Sequence, residues 1–390
     1  MTSVKNQIVP YNDSTGNGGC WAFGSLAALE SRVGLYYNRL LNLDLSEQEL
    51  GSCSAGSLQT GGCASQAYSN IHNNGISSEL CFPFLNDETI PCSEKCTNPI
   101  YEVYITSFDD ISSSEDVLKN ELINHGPVAS VMYTGPRKIN HLMCLCGYGT
   151  IRVGSHVEYV VPNQGHTIDT IIPANSNLIG KTYWIYKNSF GVGAGIDGYL
   201  YAIYENENNR THTTSLFYPV SISTLTNNDI VCEDADNDGY FFWGLGPKPT
   251  NCPICCPDIP DGDDSDPELA EMDNNGQIAN YVLPYTTTTI SSNTTWNSDT
   301  THCGNIVVTD NAILTITAQL TMNPAAKIIV QNGGTLIVDT GSVVNANIDV
   351  QASARLHLLH NGTLYLKRFG NLNVRLGAEA NMEYGCVLLQ

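Results

Sequence analysis

The chain has 390 residues, 42% of them hydrophobic and 14% charged, with a formal net charge of −22. That length and apolar content suffice for two or three folded domains. The acidity excludes nucleic acid and anionic membrane surfaces as partners, since both would repel it, and no apolar run is long enough for membrane insertion.

Residues 1–218 mix helical and strand patterns. In "GNGGCWAFGSLAALESRV" (16–33), Ala22, Leu26, Leu29 and Val33 recur at spacings of four and three, the stripe of an amphipathic helix. "LSEQEL" (45–50) opens a second helix, with Ser46 and Glu49 placed as a capping box. "YEVYITSF" (101–108), "PVASVMY" (127–133), "HLMCLCGYG" (141–149) and "YWIYKNSF" (183–190) read as strands, being β-branched, aromatic and alternating. Helices followed by strands predict an α+β domain.

Residues 219–284 form a separate cassette and linker, and its 233–273 stretch carries twelve Asp/Glu against a single Lys248. Rich in Asp, Pro, Gly and Cys, it has no periodic apolar pattern and needs metal or disulfides to hold a shape. From 285 to 390 the chain becomes all-β. "NIVVTDNAILTI", "KIIVQNGGTLIV", "NIDVQASARLHL" and "NLNVRLGAEANM" align, with Val308, Val330, Val350 and Val374 spaced 22, 20 and 24 residues apart. A repeat near twenty residues built of short alternating strands predicts a β-solenoid, a spacer or attachment module; an ordinary β-sandwich is the alternative.

Fourteen cysteines point to disulfides and an oxidising compartment, hence a secreted or cell-surface location. "MTSVKNQIVP" has no apolar core of a signal peptide, so that location requires a processed or trimmed chain. "CPICC" (252–256) has a spacing compatible with zinc, but in this Pro-rich acidic setting disulfides are expected, with Cys232 as an extra partner.

A thiol after two glycines at the mouth of a helix is either a buried packing residue or a nucleophile whose thiolate the helix N-terminus supports. The surrounding motifs decide between them. "VKNQ" (4–7), "CWAF" (20–23), "LSEQEL" with Cys53, "GG" (61–62) with "GI" (75–76), "NHGPVA" (124–129), "NHLMCLCGYG" (140–149) and "YWIYKNSFGVGAGIDGY" (183–199) occur in this order. Over residues 4–204 the chain closely resembles the papain-like (family C1) cysteine proteases. The resemblance implies a two-lobed fold, a helical lobe plus a β-barrel-like lobe, acting on protein or peptide substrates with no catalytic cofactor.

It also implies roles. Cys20 attacks the peptide carbonyl with a lowered pKa, His141 forms the ion pair and protonates the leaving amine, and Asn188 orients the imidazole. Gln7 and the Cys20 backbone N–H receive the oxyanion. Gly61 and Gly62 let an extended substrate add as a strand, with Asn140 and Phe190 also at the substrate side. Phe190 stands where the family has a shielding tryptophan. Cys53 with Cys92 resembles a family bridge.

Departures from the pattern are as specific. Gln7 and Cys20 are separated by twelve residues, more than is usual in the family. The family's disulfide beside the nucleophile is missing, its positions falling at Asn17 and Gln59. Cys63 then needs another partner, Cys81 or Cys96. The 151–180 stretch, within the 46 residues between His141 and Asn188, looks like an insertion beside the cleft. Two other readings follow from these departures: a surface adhesin on a scaffold without turnover, and an exopeptidase or transpeptidase.

In the cassette, Asp234, Asp236 and Asp238 alternate before Gly239, as in loops that wrap a hard cation. The place of an EF-hand's bidentate Glu is taken by Leu245, so this is not an EF-hand. The segment resembles the calcium loops of thrombospondin type 3-like repeats, which implies structural Ca2+ with Asp261, Asp263 and Asp264 completing the shell.

Overall fold

The structure, a computed structural model, describes residue 5 and residues 18–134, 139–160, 167–203, 210–272, 278–280, 282–283, 285–366 and 371–389. The chain divides into two compact units, one of residues 1–231 with 243–249, the other of 232–242 with 250–390. No helix among the described residues is long and apolar enough to cross a membrane.

The first unit is built on α1 (Cys20–Tyr37), which ends at Asn38 in the left-handed region, with the Asn38 N–H on the carbonyls of Gly34 and Leu35. The apolar stripe predicts one buried face, yet Ser25, Glu30 and Arg32 are buried beside Leu26, Leu29 and Val33. Most of the helix is buried, and its charged groups find partners inside: Glu30 accepts the Leu45 N–H at 2.9 Å, while the buried Ser25 hydroxyl has none among the described residues. Helix α2 (Glu47–Cys53) starts at Ser46, whose Oγ accepts the Glu49 N–H at 3.0 Å. The expected box is only half made. Glu49 turns to the Ser77 N–H and hydroxyl and to Lys95, while the Ser46 N–H goes to Ser77 O. Helix α3 (Ala64–Asn74) then leads into a short β1 (Ile76–Ser77).

β2 (Glu102–Ile111), α4 (Glu115–Asn124), β3 (Val128–Thr134), β4 (Ile139–Thr150), β5 (His156–Val160), β6 (Thr167–Ile171), β7 (Thr182–Lys187), β8 (Tyr199–Ile203) and β9 (Arg210–Ile222) follow. The strands form one nine-stranded sheet in the order β1-β2-β9-β3-β4-β7-β8-β5-β6. The 151–180 segment contributes the β5–β6 hairpin, which extends this sheet because β5 pairs in parallel with β8. Leu118, Val128, Met132, Met143, Leu145, Trp184 and Tyr186 form the core beneath it.

In the second unit, β10 (Leu269–Met272) pairs with β11 (Ile278–Asn280) before the repeats begin. Five rungs of three strands follow: β12 (Thr288–Ile290), β13 (Thr294–Trp296), β14 (Thr300–His302); β15 (Ile306–Val308), β16 (Ile313–Ile316), β17 (Gln319–Met322); β18 (Ile328–Val330), β19 (Thr335–Asp339), β20 (Ser342–Ala346); β21 (Ile348–Val350), β22 (Arg355–Leu359), β23 (Thr363–Leu366); β24 (Leu372–Val374), β25 (Glu379–Met382), β26 (Val387–Leu389). Each strand pairs in parallel with its counterpart one rung on, giving three five-stranded sheets: a β-solenoid of about five turns. Val308, Val330, Val350 and Val374 stack in register. The uneven period has a local cause. First strand to second is always seven residues in the last four rungs (306 to 313, 328 to 335, 348 to 355, 372 to 379), and the other corners absorb the difference. The constant corner carries a left-handed residue each time, Asn311, Gly333, Ser353 and Gly377.

Four disulfides form: Cys53–Cys92, Cys81–Cys96, Cys232–Cys252 and Cys255–Cys303. Cys81 and Cys96 take each other, so the partner expected for Cys63 is not there, and Cys63 remains an exposed thiol.

A buried ion pair inside the first unit ties α1 to α4. Arg32 Nη2 meets Glu121 Oε1 at 2.6 Å, and its Nε donates to Pro127 O at 2.7 Å. Burial works to raise the Glu121 carboxyl, but hydrogen bonds from His125, Ser215 and Arg32 and the guanidinium charge bring it down to about 2. Its stabilising contribution is therefore full above its ordinary value near 4.5 and is lost as pH falls from there toward 2. Glu121→Gln, which leaves Arg32 charged and buried, should cost about 3–5 kcal/mol by denaturant unfolding at pH 7. The cost should shrink in melts run between pH 4.5 and 2.5, and a pH-independent difference would refute the assignment.

Candidate functional site

The start of α1 is held by glycines. A Cβ on Gly18 would lie 2.8 Å from the backbone C and O of Gln59, so the chain just before Cys20 packs on the 59–61 backbone. The Trp21 indole donates to Ser57 O at 2.9 Å, and a Cβ on Gly62 would meet that ring at 2.7 Å. Gly61 sits at φ +106° with open space where a side chain would be. Gly61 and Gly62 thus border the Cys20 segment, and Gln59 is packed there although the family crosslink at 17 and 59 is absent.

One turn beyond Cys20, a Cβ on Gly24 would stand 2.9 Å from Leu142 O. This brings α1 against β4 beside His141, which lies opposite Met132 on β3. The backbone groups of Leu142, Trp21 and Cys20 itself favour the Cys20 thiolate. Burial nevertheless pushes the thiol up, against the lowering expected of a helix N-terminus and an imidazolium, and those groups oppose it.

His141 is 5% exposed. Its Nε2 lies 2.9 Å from Asn188 Oδ1, which also accepts the Ser189 N–H at 2.8 Å. Since Oδ1 accepts from that amide, Nε2 is the donor and the ring's lone pair falls on Nδ1. Asn188 follows β7, with its N–H on Gly198 O at 2.9 Å. The β4–β7 register, Cys144 opposite Lys187, continues to set Phe190 across from His141. The two rings stack at 4.6 Å with an interplanar angle of 3°. Burial, first, holds the imidazole below its usual range, and the Asn188 hydrogen bond works against that.

Gln7 and the Asn140 side chain lie outside the described residues. Lys5, two residues before Gln7, is anchored: its carbonyl accepts the Gly191 N–H at 3.0 Å. Its ammonium reaches Asp44 and Glu47 at 2.8 Å and Glu30 at 3.3 Å. Burial opposes that charge, and the carboxylates outweigh it, holding the pKa above its usual range. Gly18, Gly24 and Lys5 were not singled out from sequence. The signal for Gly24 was a glycine inside a helical run, where it is unfavourable unless closeness is required.

The cassette side chains converge separately. Carboxylate oxygens of Asp234, Asp236 and Asp264 lie within 4.8 Å of one another, as do those of Asp236, Asp238 and Asp261. Asp263 instead accepts the Ser265 hydroxyl at 2.6 Å. Burial, and then the neighbouring carboxylates, push Asp238 and Asp264 up to about 7 and Asp234 and Asp261 up to about 6.

Residues 2–220, more than half of the chain, match the family described as papain family cysteine protease. A cysteine proteinase of Theileria annulata is 32% identical over 184 residues, 47% of this chain and 38% of that protein. Cathepsin S of Bos taurus is 31% identical over 191 residues, 47% of this chain and 53% of its own length. Among solved structures, the bromelain protease of Ananas comosus in complex with the E64 inhibitor aligns at 22% identity and a TM-score of 0.41, covering 55% of this chain and 92% of that one. The chain thus spans less than two-thirds of the length of these two curated relatives.

The two neighbours of the His141 ring act in opposite directions, which gives a signed test. In a Cys20→Ala background followed by NMR titration, Asn188→Ala should lower the His141 pKa further. Phe190→Ala should raise it toward 6.5 by admitting water. Shifts of the reverse sign would mean that burial does not govern this ring.

Proposed function

Because this chain belongs to the papain family of cysteine proteases, we propose that it hydrolyses peptide bonds through Cys20, His141 and Asn188. The observation that carries the reading is the fixed imidazole. Asn188 and Phe190 hold the His141 ring in one orientation, Nε2 as donor, on the residue preceding Leu142, whose backbone packs against the helix that Cys20 begins. Nδ1 is then the base.

The proton of Cys20 passes to Nδ1, and the sulfur attacks the substrate carbonyl carbon. The C–N bond breaks as the imidazolium returns the proton to the leaving amine, giving a thioester and a neutral ring. Water, deprotonated by Nδ1, then attacks the thioester carbon and releases the carboxylic product with Cys20 restored. The Cys20 N–H and Gln7 receive the oxyanion. Lys5, two residues before Gln7 in the sequence, is bound to Gly191 beside the site. Gly61–Gly62 accept the substrate backbone as an added strand, and β5–β6 is the chain's own addition to the sheet carrying His141. Four disulfides favour an extracellular or surface location.

A peptidyl epoxide that alkylates thiolates should label Cys20 at neutral pH and spare the exposed Cys63, as read by peptide mass spectrometry. Cys20→Ala should abolish peptide hydrolysis, and His141→Ala should cost roughly 10²–10⁴-fold in kcat. Labelling of Cys63 alone, or hydrolysis surviving Cys20→Ala, would overturn the proposal. Peptide-library cleavage at internal bonds supports endopeptidase action, and cleavage confined to chain ends would refute it.

A further inference from the structure

We propose that Cys232, Cys252 and Cys256 form a thiol–disulfide exchange site, in which the Cys256 thiol displaces Cys252 from Cys232. Cys256 belongs to none of the four disulfides and keeps its thiol. Its sulfur is 3.9 Å from Cys232 Sγ, and the sulfurs of all three residues lie within 4.8 Å of one another. Two of the three are joined as Cys232–Cys252, so a thiol stands in van der Waals contact with a disulfide.

The local fold holds it there. "CPICC" bends through a turn closed by the Cys256 N–H on Pro253 O at 2.9 Å, which brings Cys256 back toward Cys252. Cys255, inside that turn, is fixed separately. It is bonded to Cys303, and its carbonyl accepts the Tyr285 hydroxyl at 2.6 Å. Cys255 and Cys256 are both buried, whereas Cys252 is partly open to solvent.

The exchange needs no other reactant. The Cys256 thiol loses its proton and the thiolate attacks Cys232 Sγ. The Cys232–Cys252 bond breaks as Cys232–Cys256 forms, and the electron pair leaving on Cys252 takes up a proton. One disulfide and one thiol stand on each side, so no oxidant or reductant is consumed. Chain closure hardly distinguishes the pairings, because the partners are 20 residues apart in one and 24 in the other. What changes is the place of the thiol. It moves from buried Cys256 to Cys252, where an external electrophile or disulfide reaches it.

The folded chain treated with N-ethylmaleimide, then unfolded in acid and sequenced by mass spectrometry, should carry label on Cys252. That label should rise with time, with Cys232 then linked to Cys256. This measurement is made on the unmodified chain and depends on no variant. Cys256→Ser and Cys256→Ala should each abolish the Cys252 label by locking the Cys232–Cys252 bond. Cys252→Ser, refolded with oxidised glutathione, should pair Cys232 with Cys256. Label confined to Cys256 or Cys232, or on none of the three while the exposed Cys63 is modified, would overturn the proposal. So would Cys252 labelling that survives Cys256→Ser, or a folded Cys252→Ser chain that keeps Cys232 and Cys256 as thiols.

Discussion

The approach of α1 to β4 is the constraint on which the cleft depends. Helix α1, which Cys20 begins, lies almost on the backbone of β4 one residue from His141, and Gly24 allows it because a Cβ there would crowd Leu142 O. The helix is then locked from several directions. Glu30 takes the Leu45 N–H, Arg32 reaches Glu121, Pro127 and Ser215, and the Trp21 indole ties its first turn to Ser57. A helix tied at so many points cannot slide along its neighbours without breaking buried hydrogen bonds. The thiol inherits that rigidity, since its own amide and that of Trp21 are the first N–H groups of the same helix.

The solenoid meets a different constraint. Each rung must present its apolar residues to the same axis, and a slip by one residue would turn them outward. Ile306, Ile328 and Ile348 stack on one sheet and Leu314, Leu336 and Leu356 on the next, all essentially buried. The corner between those sheets keeps one length and one left-handed residue. The corners flanking the third sheet vary in length from rung to rung.

Much of this was legible in the sequence, for physical reasons. Short alternating strands with a recurrent valine can bury their apolar side only by stacking, so the solenoid was readable despite its uneven period. Helix α1 was readable by spacing, yet its burial on all sides was not, because Arg32 and Glu30 look like a solvated face until their partners at Glu121 and Leu45 come from remote segments. The half-made cap at Ser46 was illegible for the same reason: Glu49 fits the box by spacing, but Ser77 and Lys95 compete for it. The candidate site was legible through motif order, which brought Cys20, His141 and Asn188 into consideration together. Phe190 illustrates the limit, since its stacking on His141 follows from the β4–β7 register, a tertiary fact.

Two clusters of ionisable groups in this chain pose opposite electrostatic problems. In the cleft, burial raises the Cys20 thiol and lowers the His141 imidazole, so either ion alone is costly. Moving one proton from sulfur to nitrogen creates both charges together at constant net charge. In the proposed mechanism each charge would then offset the burial cost of the other. In the cassette every group is a carboxylate, so transferring protons among them relieves nothing. Burial and mutual repulsion raise these carboxyls together, and Oδ2 of Asp236, Asp238 and Asp261 each lack a hydrogen-bond partner among the described residues. A complementary acid and base can thus relieve burial by moving one proton between them, whereas a cluster of like carboxyls cannot.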